Sequence, residues 1–164
     1  MGDKLDNQNV QITFRTKIFY PTVNGLSDDR EAVPWESLPC DVMESEAKGE
    51  YYKKGDAHYC LYEEQPEGWD RPGKVMLKWK EAILERRVRG EMATHMVFEP
   101  GKCRYYSNNT PYGDLSMETE THRLEITEEQ DSFFLLLEYG IRQGGQIVSE
   151  IRMEIHIQGM GESI

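Results

Sequence analysis

The chain predicts an all-β protein, a single antiparallel up-and-down barrel of about eight to ten strands. Segments of strict period-2 alternation recur along its whole length, and clusters of Gly, Pro, Asn and Asp separate them. No stretch carries a sustained helical pattern. A meander of short antiparallel strands must bury one face and hide its two edges, and closing on itself achieves both. At 164 residues the chain forms one domain, 1–164, with a core over about residues 10–158.

The first strand spans Val10 to Tyr20, with Val10, Ile12, Phe14, Ile18 and Tyr20 on one face and Gln11, Thr13, Arg15 and Lys17 on the other. A Pro-, Ser- and acid-rich stretch without period follows over 21–39 and reads as a long loop holding Trp35. Strands are then expected at Val42–Lys53 and Ala57–Glu64, joined by the Lys54-Gly55-Asp56 turn. A second long loop, 65–73, carries Trp69 and precedes a strand at Lys74–Lys80.

From Leu84 to Phe98 the even positions are Leu84, Arg86, Val88, Gly90, Met92, Thr94, Met96 and Phe98, an apolar face interrupted by one charge. Lys78–Arg89 is rich in helix formers, but the alternation continues through it, so Ile83–Phe98 reads as one long strand. Gly90 would then be a kink, or a place where a large neighbouring side chain packs over the glycine. Further strands are expected at Lys102–Ser107, Asp114–Thr127, Ser132–Ile141 and Gln146–Gln158, about nine in all.

Composition narrows the function. Thirty acidic against 19 basic residues give a formal net charge of -11, which repels nucleic acid, although Arg86–Arg89 is a local basic patch. No apolar run approaches a membrane span, and the N-terminus lacks the apolar stretch of a signal peptide. Three widely spaced cysteines without a C-x-x-C pair fit a reduced, cytoplasmic setting. His58-x-Cys60 supplies at most half of a zinc site, so neither a metal nor any other cofactor is expected. No nucleophile elbow or base pattern is visible, and no catalytic residue is assigned.

Several elements together resemble the YwiB-like family, a bacterial domain of unknown function placed among the calycin, or lipocalin-like, barrels. These are the Arg-rich strand into Gly90, the Met92–Phe98 run, the turn at Gly101, Thr110-Pro111-Tyr112-Gly113 before a strand, and the closing pair Phe133–Ile141 and Ile147–Ile157. The resemblance covers roughly Val10 to Gln158 and implies a barrel fold and a bacterial origin. It implies no catalytic residues. The long loops 21–39 and 65–73 depart from the compact family pattern.

Calycin barrels of this size are filled by their own side chains or enclose one small ligand. The first reading is a small-molecule binder for a partly apolar, anionic compound. Arg86 is its polar anchor, and Met92, Thr94, Met96, Tyr105, Met117 and Thr119 line the cavity. Met153 is expected to point inward as well. An alternative for Arg86 is a salt bridge to an acid on a nearby strand. Trp35 and Trp69 would flank the mouth or pack over the barrel end, and Tyr112 would lie at the opposite end. His156 with Glu150, Arg152 and Glu154 reads as a solvated outer face. The second reading is a non-catalytic interaction or homodimer module with a filled barrel, and the third is an enzyme whose acid/base residues are hidden among the many carboxylates.

Overall fold

The computed structural model describes residues 7–20 and 40–163, without the side chains of 162 and 163. Trp35 and the 21–39 loop lie outside the described residues. Ten strands follow one another: β1 (Gln8–Phe19), β2 (Asp41–Lys54), β3 (Ala57–Glu64), β4 (Gly73–Lys80), β5 (Ile83–Arg89), β6 (Ala93–Phe98), β7 (Cys103–Thr110), β8 (Gly113–Glu129), β9 (Ser132–Gln143) and β10 (Gln146–Ser163). Each pairs antiparallel with its sequence neighbour, and β1 pairs antiparallel with β10, closing the barrel. No described helix is long and apolar enough to cross a membrane.

The expected single strand Ile83–Phe98 is a hairpin. Leu84 faces Phe98, Arg86 faces Met96 and Val88 faces Thr94, so the chain reverses over Gly90-Glu91-Met92. Partners in this hairpin are both even-numbered, so the buried stripe keeps its parity through the reversal and imitates a continuous strand. Gly90 lies under a large neighbour. A Cβ there would meet Trp69 Cζ3 at 2.5 Å, and one on Gly73 would meet the same atom at 2.5 Å. Trp69 therefore packs on two glycines, Gly73 at the start of β4 and Gly90 in the β5–β6 turn, and joins the core as a satellite.

The hairpin adds a reversal, which corrects the placement of Tyr112. The 65–72 connection, the Gly90 turn and the β7–β8 turn all fall at one end of the barrel, here the upper end. Tyr112 is 100% exposed there and plugs nothing. Thr110 Oγ1 donates to the Gly113 carbonyl at 2.6 Å and accepts from Tyr112 N at 3.1 Å. With Gly113 at φ 118°, Thr-Pro-Tyr-Gly is a turn that starts β8.

At the lower end, inward-facing Tyr51, Trp79 and Phe133 form a fully buried floor. Phe133 meets Trp79 edge-on at 5.1 Å, His58 stacks on Trp79 at 5.4 Å, and the Tyr51 hydroxyl lies 2.7 Å from His58 Nδ1. Burying each of these aromatics contributes roughly 1.5–3 kcal/mol. A bulge between Thr121 and Arg123 switches β8 from odd to even inward positions, so Thr119 and Thr121 are buried above it and Leu124 and Ile126 pack on the core below.

The face of β10 expected to be solvated is not uniformly so. Glu150 is buried, its carboxylate Oε1 2.7 Å from where a Cβ on Gly140 would stand and its Oε2 3.0 Å from His122 Nε2. The missing side chain at Gly140 makes room for it.

Candidate functional site

The upper half of the barrel encloses a void of about 320 Å3. Phe14, Leu84, Met96, Phe98, Leu137, Met153 and Ile155 give it an apolar wall, and Tyr62, Glu64, Arg86 and Tyr139 supply the polar groups. Pairing β5 with β4 and β6 sets Arg86 opposite Leu77 and Met96 and turns it inward. Leu77 in turn faces Cys60 on β3, so Glu64 stands two inward positions nearer the upper end than Arg86. The arginine side chain extends up the barrel past Tyr62 and pairs with Glu64 at 2.8 Å. Side-chain exposures of 24% for Arg86 and 41% for Glu64 place this pair at the mouth, in reach of solvent.

Burial works against the charge on Arg86, but Tyr62, Glu64 and Tyr139 outweigh it and hold the guanidinium above its ordinary range. The same burial pushes the Tyr139 phenol up to about 12, with Arg86 pulling the other way. Tyr62, hydrogen-bonded to Arg86, is raised by burial as well. At neutral pH the site thus holds two neutral phenols around a permanent cation with one carboxylate partner. Cys60, below Tyr62, is pushed up to about 12 by burial, which leaves an inert thiol filling the core. Among the described residues no group of three or more His, Cys, Asp or Glu side chains is arranged to hold a metal.

Of the residues expected to line the cavity, Arg86, Met96 and Met153 do so. Thr94 is half-buried and donates to Asn108 Oδ1 at 2.7 Å, tying β6 to β7. Met117 accepts from the Tyr106 hydroxyl at 3.3 Å, and Thr119 is buried with its hydroxyl 3.4 Å from the Arg104 carbonyl. Met92 belongs to the β5–β6 turn. Tyr105 is corrected outright: it is 79% exposed on the outer face, and its neighbour Tyr106 points inward. Strand β7 has no apolar alternation to reveal its inner face, which is set by pairing with β8. Trp69 packs on Gly73 and Gly90 and is not part of the void's lining.

Tyr62, Glu64 and Tyr139 line the void as well, beyond the residues that the sequence pattern indicates. Glu64 left a signal, since it ends the inward stripe of His58, Cys60 and Tyr62 with a carboxylate.

Fold and cavity define a class: a closed ten-strand antiparallel meander with a small polar-mouthed interior. Residues 35–155 match the family described as "Domain of unknown function (DUF1934)", and the chain belongs to that family. Among solved structures the chain is similar to the crystal structure of the ywiB protein from Bacillus subtilis, with a TM-score of 0.74 at 17% identity, covering 93% of this chain and 92% of that one. That likeness concerns the fold. Among curated proteins none matches.

Proposed function

We propose that the protein is a calycin-like carrier that holds one small, partly apolar molecule in the upper barrel, with an acceptor head such as a carboxylate against Arg86. The observation that carries this reading is the void of about 320 Å3 around a guanidinium near the mouth. A volume of that size lies at the small end of ligand pockets. Arg86 has five N–H donors, more than Glu64 and Tyr62 take up, and its planar fork suits an oxyanion. The three free cysteines are consistent with work in a bacterial cytoplasm.

The test compares octanoate with octanol by thermal shift, in the wild type and in Arg86→Met. Ligand at about a hundredfold its dissociation constant stabilises by about 2.7 kcal/mol. Octanoate should raise the wild-type Tm more than octanol does, and the preference should vanish in the variant. Equal shifts in both proteins would remove Arg86 from the site, and no shift with either compound would remove the carrier reading.

A further inference from the structure

The outer wall carries an ordered row of side chains unrelated to the cavity. Glu50 on β2 faces Leu61 on β3, Leu61 faces Met76 on β4, and Met76 faces Arg87 on β5. All four point outward, since their chain neighbours Tyr51, Cys60, Leu77 and Arg86 point in. Read across the strands, the row is acid, apolar, apolar, cation, spanning roughly 14 Å at the usual strand spacing. The next row repeats the sense, with Glu63 facing Lys74 and Lys74 facing Arg89. Like charges directly opposite on a sheet disfavour folding, so the neighbouring cations Lys74 and Arg89 cost stability in an isolated chain. Among the described residues none of Lys74, Arg87, Arg89 or Glu50 makes an ion pair. These side chains border one outer groove of about 970 Å3.

We propose that this wall is a docking surface for a second copy of the chain, in a two-fold dimer whose axis lies in the contact plane, parallel to the strands, between β3 and β4. An isologous contact requires a self-complementary patch. That axis reverses each row, setting Glu50 against the partner's Arg87, Leu61 against the partner's Met76, and Glu63 against the partner's Lys74. A two-fold axis perpendicular to the strands and running along the first row would instead set Glu50 on Glu50 and Arg87 on Arg87, so the charge pattern of that row favours the parallel axis. Lys48, two residues before Glu50 on the same face, falls opposite Arg89 at the rim, where Glu46 of the same groove offers a counter-charge. Both apolar side chains at the centre are half-buried in the single chain, and the dimer would cover the remainder.

Sedimentation equilibrium over a range of protein concentrations, with circular dichroism to confirm folding, tests the geometry. The wild type should self-associate, less strongly as salt rises. Glu50→Arg and Arg87→Glu should each weaken association at least tenfold, because each sets two like-charge contacts across the axis. Mixing these two variants should restore association as a heterodimer, since both contacts then pair opposite charges, and the double variant should dimerise by itself. A wild type that stays monomeric overturns the proposal. So does a dimer indifferent to either substitution, or a mixture of the two variants that fails to associate.

Discussion

Gly90→Ala isolates the packing of Trp69 from every other feature of the upper end. Gly90 is not among the residues with positive φ, so alanine suits its backbone, and the substitution by itself would stabilise by about 0.4–1 kcal/mol through the unfolded chain. The new methyl, however, would stand 2.5 Å from Trp69 Cζ3 and 3.1 Å from Cη2. The indole must move, and overpacking of this kind costs about 1–3 kcal/mol. In a Trp69→Ala background that obstruction is gone, leaving a 3.0 Å approach to Gly73 Cα. There the residual crowding and the entropic gain nearly cancel, and Gly90→Ala should fall within about 0.5 kcal/mol of neutral. The coupling between the two sites is then about 1–3 kcal/mol, well above the scatter expected of independent sites. Urea unfolding of the four proteins, with a common m-value, measures it. An equal cost for Gly90→Ala in both backgrounds would show that the ring does not rest on the glycine.

The phenols give a pH dependence of definite sign. Tyr139 ionises near 10 in the unfolded chain and near 12 in the barrel, so above pH 10 the folded state binds more protons and stability falls as pH rises, by roughly 1.4 kcal/mol per pH unit up to about 12. Tyr62 adds to the loss in the same direction. Denaturant titrations at stepped alkaline pH, alongside tyrosinate absorbance, check this, and flat stability across that window would contradict the burial. At the β7–β8 turn, Thr110→Ala should destabilise by about 0.5–1.5 kcal/mol through its two hydrogen bonds, while Tyr112→Ala should change stability by less than about 0.5 kcal/mol. Thermal melts distinguish the two, and a large loss from Tyr112→Ala would mean that the ring is covered.

Nearly all strand segments were legible because alternation is imposed by a wall with one buried face, and Ala57–Glu64 coincides with β3 to the residue. The Ile83–Phe98 segment was not, for a reason internal to hairpins. Wherever the two partners' numbers share parity, alternation passes through the turn unbroken. Strand length gave no warning, since β8 and β10 are 17 and 18 residues long. A meander whose every neighbour is antiparallel can close antiparallel only with an even number of strands, and dividing Ile83–Phe98 into two gives the ten that closure allows. Arg86 was placed correctly inside, but its partner was hidden, because Glu64 lies on β3 with all of β4 between them, and that juxtaposition depends on register.

The mouth of the barrel is where polarity is least needed for folding. An ion pair there must desolvate two charges, and that cost offsets its attraction, so it adds little beyond what well-packed apolar side chains would give. The floor illustrates that alternative, with Tyr51, Trp79 and Phe133 sealing the lower end completely. The two ends face the same requirement, to close a barrel against water, and meet it oppositely. An arginine drawn up past a tyrosine toward a carboxylate, above an unfilled apolar space, is a poor plug and a serviceable head-group site. Under the carrier proposal, the asymmetry between a sealed floor and a polar, partly open mouth puts ligand exchange at the upper end, where the Trp69 ring packs on two glycines.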